Sequence, residues 1–238
     1  MTDERAGVVI VGAGLLGLAA AASLTGRGRE VVVLEQAAIG HRRSGSQGSS
    51  RIFRLGYADP LYVEMARLAR GRWQELEAFA GVDLLLPWPQ LSFGADLRPL
   101  HDALEAAGSR VEWMNAEAVA RRFPGFRPRG DALYEPDSGV LLADRCLAAL
   151  ARAATDGGAE IREGVAVSMI DDDGAGVTVT TSAGVIRADV AVVCGGAWSG
   201  ALVASVAPEA SVDFAPTLEH VVYAAPTSGT SLESLPIF

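Results

Sequence analysis

Hydrophobic residues are arranged most regularly at the start of the chain. Apolar, β-branched residues at 8–11 lead directly into the glycine-rich sequence GAGLLG at 12–17. Such a run is typical of a buried strand in a parallel sheet. Residues 15–24 are rich in alanine and leucine and predict a helix, and the apolar run at 31–34 predicts a second strand. Together these segments predict a βαβ unit whose second strand ends at Glu35.

The three glycines of the turn have the spacing of a dinucleotide-binding sequence. Gly12 permits a tight turn, Gly14 lets a pyrophosphate approach the backbone, and Gly17 lets the helix pack closely on the strand. The helix amino terminus offers N–H groups and the positive end of its dipole to the phosphates. The Glu35 carboxylate can accept hydrogen bonds from the ribose hydroxyls. The alternative is a glycine-rich turn that binds no nucleotide.

The remaining chain predicts an alternation of helices and short strands. Amphipathic patterns predict helices over 61–80, 96–107, 116–123 and 144–154. The first of these has apolar positions at helical spacing, typical of a core face: Leu61, Met65, Leu68, Trp73, Leu76 and Phe79. Short apolar runs predict strands at 84–86, 90–93, 132–135, 139–142 and 159–161.

Near the end of the chain, three segments separated by turns predict an antiparallel meander, at 165–170, 176–181 and 185–188. Residues 189–194 predict a second buried parallel strand, which leads into Gly195-Gly196-Ala197-Trp198. This repeats the strand, glycine turn and helix of the amino terminus. A last strand is predicted over 212–225.

A polar loop at 36–50 is rich in glycine and serine. Such a loop cannot build a core, but it can surround a phosphate with hydroxyls and backbone amides. Arg51 and Arg54 follow it, among apolar side chains. Arginines are usually surface charges, whereas in a partly buried segment they bind a carboxylate or phosphate through two donors. Both interpretations stay open on the residues alone.

Composition limits the possible classes of protein. Half of the 238 residues are hydrophobic and about a fifth are charged, which indicates a globular chain of one large or two modest domains. The net charge of −9 argues against nucleic acid or an anionic membrane as a partner. Cys146 and Cys194 are expected to be core thiols, and no metal site is expected. The first residues lack the basic start of a signal peptide, so a cytoplasmic location is expected.

Four blocks of sequence give the chain a family resemblance. It resembles the amino-terminal part of the FAD-dependent amine oxidases typified by monomeric sarcosine oxidase and N-methyltryptophan oxidase, within the D-amino-acid-oxidase-like group. The order and spacing of the blocks match that family over nearly the whole chain. The blocks are 9–17 with Glu35, 48–54, 135–141 and 192–198.

The resemblance implies a mixed α/β fold of the glutathione-reductase-like type. In such a fold a Rossmann-like FAD-binding domain is interleaved with an antiparallel substrate-domain sheet. The expected FAD-binding domain comprises 1–80 and 140–205, and a partial substrate domain comprises 81–139 and 206–238. The family's longer members carry a carboxy-terminal portion that supplies further strands, an oxygen-activating lysine and a flavin-linking cysteine. The fold is therefore expected to be incomplete at its carboxy terminus.

The resemblance also implies roles for individual residues. Arg51 would lie against the flavin ring and Arg54 would pair with the substrate carboxylate, which makes them the expected catalytic residues. Val167 would meet the adenine through its backbone. The full expected FAD-binding set is Gly12, Gly14, Leu15, Leu16, Gly17, Glu35, Gln36, Ser44, Ser49, Ser50, Arg51, Val167, Gly195, Gly196, Ala197 and Trp198.

One position departs from the family pattern, because Gln47 stands where sarcosine-type members commonly have histidine. No general base is evident: His41 and His101 are expected at the surface, and His220 is a weak candidate. The resemblance implies an oxidase of secondary amines or N-alkyl and imino amino acids, using dioxygen and giving imine and hydrogen peroxide. The alternatives are an NAD-linked dehydrogenase and a non-catalytic FAD-binding subunit or fragment that needs a second chain.

Overall fold

The computed structural model describes residues 4–210, 214–217, 221–222 and 235–238. The chain forms two compact units. The first unit comprises Met1–Ser49 and Ala143–Glu219, and the second comprises Ser50–Leu142 and His220–Phe238. The expected FAD-binding domain included residues 50–80, which belong to the second unit. A cofactor or substrate role for either unit stays a prediction.

Most of the predicted helices and strands are present, with ends that differ by a few residues. The strands are β1 (Glu4–Val11), β2 (Val31–Glu35), β3 (Arg51–Phe53), β4 (Leu85–Pro87), β5 (Gln90–Ser92), β6 (Glu112–Met114), β7 (Ala132–Glu135), β8 (Gly139–Leu141), β9 (Glu160–Glu163), β10 (Val167–Asp172), β11 (Val177–Thr181) and β12 (Gly184–Val193). The helices are α1 (Leu15–Thr25), α2 (Pro60–Ala80), α3 (Arg98–Ala106), α4 (Ala116–Arg122), α5 (Ala143–Asp156) and α6 (Ser199–Val206).

The first unit is built on a six-stranded sheet with the order β10-β11-β12-β1-β2-β9. β1 pairs in parallel with β2 and β12, and β9 pairs in parallel with β2. β10, β11 and β12 form the predicted antiparallel meander. The predicted βαβ unit is confirmed, with all five residues of β2 buried. Parallel strands are covered on both faces, which explains their continuous apolar runs.

One prediction about this sheet is wrong. Residues 185–188 and 189–194 were expected to form two strands, but β12 continues through both segments. Its first half pairs with β11, while β1 pairs with it from Ile186 to Val193. The long partner β1 therefore pairs with both halves and keeps them in one continuous strand.

The second unit contains two three-stranded antiparallel sheets, with the orders β3-β8-β4 and β5-β7-β6. β7 and β8 flank the predicted turn at 136–138 but belong to different sheets. Within this turn, Asp137 pairs with Arg70 at 2.9 Å and with Arg110 at 2.5 Å. The turn is therefore held to α2 and to the segment before β6.

The predicted core face of α2 is wrong at four of its six positions, while Trp73 packs against the core as predicted. Leu61, Met65 and Leu68 are all more than half exposed, and Phe79 is exposed as well. The side of α2 that packs in the unit's core is a neighbouring stripe of mostly smaller side chains around the buried Val63. This stripe packs in the same core cluster as residues of α3 and β3. Its members are Val63, Ala66, Ala69 and Trp73.

Two further expectations concern the end of the chain and the membrane. In the predicted strand over 212–225, the structure describes 214–217 and 221–222, and none of these residues is in a strand. His220 lies outside the described residues. Among the helices that the structure describes, none combines the length and apolar character needed to cross a bilayer.

Candidate cofactor-binding site

The turn after β1 depends on the absence of side chains at two of its glycines. Gly12 has a φ of +104°, which disfavours other residues, and a Cβ there would lie 2.5 Å from the Cys194 carbonyl oxygen. A Cβ at Gly17 would lie 1.9 Å from the Gly12 carbonyl oxygen. These two glycines are therefore required by the packing of α1 on β1 and β12, whether or not a nucleotide is bound.

Gly14 differs, because the space in front of it is nearly open. It is the residue that caps the amino terminus of α1, and a Cβ there would meet only the Ser46 Oγ, at 3.2 Å. The first turn of a helix leaves N–H groups without intrahelical partners, and they carry the positive end of the helix dipole. An anionic group can therefore approach the helix terminus across Gly14.

The serine-rich loop reaches this helix terminus through a residue that sequence reasoning missed. The Ser46 hydroxyl accepts a hydrogen bond from the Leu15 amide at 3.0 Å, and the Ser44 hydroxyl accepts one from the Ser46 amide at 3.1 Å. Choosing among the serines of the loop requires its conformation, which composition does not specify. Ser49 and Ser50 are not among the residues lining the cleft described below, and their role in binding stays a prediction.

Glu35 ends β2 with its side chain almost fully buried. Its Oε2 accepts a hydrogen bond from the Ala13 amide at 2.9 Å, and its Oε1 accepts one from the Ala37 amide at 3.0 Å. The His41 Nε2 lies 3.5 Å from Oε1. Because a carboxylate oxygen can accept two hydrogen bonds, these contacts orient the group and leave it able to accept more.

The surface positions predicted for two histidines are wrong. The His41 side chain is only 14% exposed, and its ring centroid lies 6.3 Å from that of Trp198. The polar sequence around His41 predicted an exposed loop, but the loop folds back over the end of β2. His101 is half-buried, and its ring packs edge-on against Trp113.

A cleft of about 850 Å³ in the first unit collects most of the predicted cofactor residues. This volume lies within the range of small-molecule sites. Twelve of the predicted residues line it: Gly12, Gly14, Leu15, Leu16, Glu35, Gln36, Ser44, Val167, Gly195, Gly196, Ala197 and Trp198. Lining residues that were not predicted include His41, Arg43, Ser46, Ser168, Phe214 and Thr217.

The cleft suits a dinucleotide by the chemistry of its walls. It combines an open helix amino terminus for phosphates, a buried carboxylate at a strand end for ribose hydroxyls, and apolar side chains for rings. The apolar side chains include Val167, Val193 and Leu202. The residues present therefore fit FAD.

The two expected catalytic arginines belong to the second unit. Both are exposed. Arg51 donates from Nη1 to the Ser50 carbonyl oxygen at 2.7 Å. The Arg54 guanidinium carbon lies 4.9 Å from the centroid of the Tyr57 ring, a cation–π arrangement. Their roles toward flavin and substrate stay predictions.

Several known proteins are similar to this chain. The family model described as FAD dependent oxidoreductase matches residues 7–238. The chain is 34% identical over 205 residues to monomeric sarcosine oxidase of Streptomyces avermitilis, covering 81% of this chain and 52% of that protein. It is 27% identical over 198 residues to N-methyl-L-tryptophan oxidase of Yersinia pestis, covering 80% and 53%. The chain thus spans about half the length of the curated relatives it matches.

Solved structures show the same fold. NikD, an amino acid oxidase essential for nikkomycin biosynthesis, superposes with a TM-score of 0.75 and 30% identity, covering 84% of this chain and 53% of that one. L-proline dehydrogenase from P. horikoshii gives a TM-score of 0.76 at 20% identity, covering 86% and 56%. The fold is the mixed α/β fold of FAD-dependent oxidases, and the chain covers about half of it. The chain belongs to the family of FAD-dependent oxidoreductases.

Proposed function

We propose that this chain is the amino-terminal part of a flavin-dependent oxidase of secondary amines or N-alkyl and imino amino acids. The observation that carries the proposal is the cleft of the first unit, where Gly14, the start of α1 and Glu35 meet as a dinucleotide requires. The sarcosine oxidase and N-methyltryptophan oxidase relatives support the substrate class. The chemistry that FAD supplies when bound is the two-electron oxidation of an amine to an imine, with dioxygen reduced to hydrogen peroxide.

The work of this chain's residues is binding and orientation. Backbone amides at the start of α1 would hold the pyrophosphate, and Glu35 would accept from the ribose hydroxyls. The backbone of Val167 would meet the adenine, and the segment 195–198 would close over the cofactor. The apolar walls beside these groups would limit the access of water once the cofactor is bound, which would strengthen each polar contact.

Arg51 and Arg54 are proposed to act through their charge. Arg51 would place positive charge by the reduced flavin, and Arg54 would bind the substrate carboxylate. Arg54 forms no ion pair with any residue that the structure describes. Its planar group of donors is therefore available for a carboxylate.

The substrate class is tested by exchanging Arg54 in the complete, flavin-loaded enzyme. Arg54→Lys keeps the charge but loses the two-donor geometry, so KM for an N-methyl amino acid should rise about tenfold. Arg54→Ala should raise it further, because the carboxylate loses its partner. An uncharged secondary amine of similar shape is the control and should be turned over almost unchanged. Parallel losses for both substrates would make Arg54 a structural residue.

A need for further polypeptide is the second candidate, and exposed apolar surfaces favour it. Beyond Ala188, β12 pairs with β1 on one edge, and no strand among the described residues pairs with its other edge. Val190, in this part of β12, is 49% exposed. An unpaired apolar strand edge is a site for strand pairing. In the second unit, Leu61, Met65 and Leu68 form an exposed apolar stripe on α2. We propose that the rest of the enzyme, in the same chain or a second one, covers these surfaces.

A further inference from the structure

A buried carboxyl group in the second unit has no role in the function proposed above. Glu135, the last residue of β7, is 1% exposed. Its Oε1 accepts a hydrogen bond from the Ser92 hydroxyl at 2.8 Å, and that hydroxyl accepts one from the Gln90 side-chain amide at 3.1 Å. Its Oε2 is buried and accepts no hydrogen bond of good geometry from the described residues, although the Gly56 amide lies beside the carboxyl group. A buried acid with an unused acceptor costs stability, which points to a role outside the core.

Glu135 packs against the segment that carries Arg54. Gly56 lies so close to the carboxyl group that a Cβ there would be 2.5 Å from Oε1 and 2.7 Å from Oε2. Burial raises the pKa of the Glu135 carboxyl group, while the Ser92 hydroxyl, the Gly56 amide and the positive charge of Arg54 act in the opposite direction. The carboxyl group thus lies against the backbone two residues after Arg54.

The Arg54 side chain is nevertheless not bound by this acid. Its guanidinium group lies over the Tyr57 ring, and it forms no salt bridge with any described residue. Glu135 therefore contacts the segment of Arg54 at Gly56 without a salt bridge to the guanidinium, whose N–H donors stay available. A direct salt bridge would use those donors and would compete with an incoming carboxylate.

We propose that Glu135 is a positioning residue for Arg54, which holds the backbone at Gly56 and orients the guanidinium for an anionic substrate. The proposal rests on the proposed role of Arg54 in binding the substrate carboxylate. Glu135 would then be a determinant of substrate specificity that is buried in the second unit, on a different sheet from Arg51. The rival explanation is a buried acid that only stabilises the second unit.

The test is a double-mutant cycle on the FAD-loaded chain, with binding followed by ligand-observed NMR. The probes are propanoate and its uncharged isostere propanamide. Glu135→Gln keeps the shape and the acceptor for Ser92 but removes the charge, so the Kd for propanoate should rise about three- to tenfold. The Kd for propanamide should stay unchanged. In the Arg54→Ala background, Glu135→Gln should cause no further change, because its partner is gone.

The matched control is Glu112→Gln, the same chemical change on β6 of the same sheet. Glu112 is exposed and pairs with Arg122 at 3.0 Å, so propanoate binding should be unaffected. Gly56→Ala is the second variant: it forces the backbone away from the carboxyl group and should also weaken propanoate selectively. If Glu135→Gln does not fold, Gly56→Ala alone distinguishes a positioning role of Glu135 from a purely structural one.

The outcomes separate the two proposals. If Arg54→Ala weakens propanoate selectively while Glu135→Gln and Gly56→Ala weaken both probes equally or neither, Glu135 is structural and the inference is overturned. If the wild-type chain does not distinguish propanoate from propanamide, or Arg54→Ala affects both equally, the proposed role of Arg54 fails and the inference fails with it.

Discussion

At the residue scale, the glycines and the acid of the βαβ unit have separable functions. Gly12 and Gly17 make room for backbone, with a Cβ excluded by carbonyl oxygens. Gly14 leaves space on the cleft side of the helix amino terminus, where an anionic group can approach. Glu35 both stabilises the local fold and lines the cleft. Its oxygens accept hydrogen bonds from the amides of Ala13 and Ala37, and the residue borders the cleft.

Replacing Glu35 tests its role toward the ribose. Glu35→Ala should weaken FAD binding by about 1.5–3 kcal/mol, because hydrogen bonds to a charged acceptor are lost. This corresponds to a Kd about ten- to a hundredfold higher, measured by titrating the apoprotein with FAD.

Glu163→Ala is the matched control for Glu35→Ala. Glu163 ends the neighbouring strand β9 and also accepts from a backbone amide, that of Ile39, but it does not line the cleft. FAD affinity should therefore be unchanged in this variant. Equal weakening in both variants would show that Glu35 acts only on the fold.

At the element scale, sequence patterns predicted the helices and strands that local sequence determines. They failed where packing or pairing with a distant segment determines the buried face or the extent of an element. β1, α1 and β2 follow from local runs of apolar residues and glycines. The buried face of α2 does not, because two apolar stripes are available and the packing of α3 and β3 selects the one around Val63. β12 was predicted as two strands because its pairing with the distant strand β1, which runs from Ile186 to Val193 past the end of its pairing with β11, has no local signal.

The turn between β7 and β8 allows a prediction about pH. Arg110 and Arg70 hold the pKa of Asp137 at about 2, below its ordinary value of 3.8. A carboxyl group with a lowered pKa in the folded state stabilises that state above about pH 4, and its contribution is lost as the pH falls towards 2. Asp137→Asn should therefore reduce the free energy of unfolding at pH 7 by about 1–2 kcal/mol, allowing for solvent screening.

Chemical denaturation at several pH values measures this effect. The difference between the wild type and Asp137→Asn should shrink as the pH falls through the interval between 3.8 and about 2. The control is Asp156→Asn, which removes an exposed pair with Arg152 on α5 and should cost less than about 0.5 kcal/mol. A difference that stays constant with pH would contradict the role of the Asp137 charge.

At the scale of the whole molecule, the chain has one cleft suited to a dinucleotide and exposed apolar surfaces on β12 and α2, which we propose the rest of the enzyme covers. The cleft lies within the first unit, and the sequence predicted twelve of its lining residues. It missed Ser46 and His41 because their positions depend on how the polar loop folds over the ends of α1 and β2. The two compact units divide the chain at other residues than the expected domains, with residues 50–80 in the second unit, and the domain roles stay a prediction.

The flavin content of the purified Gly14→Val variant tests the central claim most directly. The wild-type chain should carry FAD, identified by its visible absorption and by the mass of the released cofactor. The two added methyl groups should block the phosphates, so Gly14→Val should lose FAD while its circular dichroism stays like that of the wild type. Gly17→Ala is the contrast, because its Cβ would meet the Gly12 carbonyl and should destabilise the fold itself. FAD bound at the wild-type level in Gly14→Val, or no affinity of the wild type for FAD, would contradict the account.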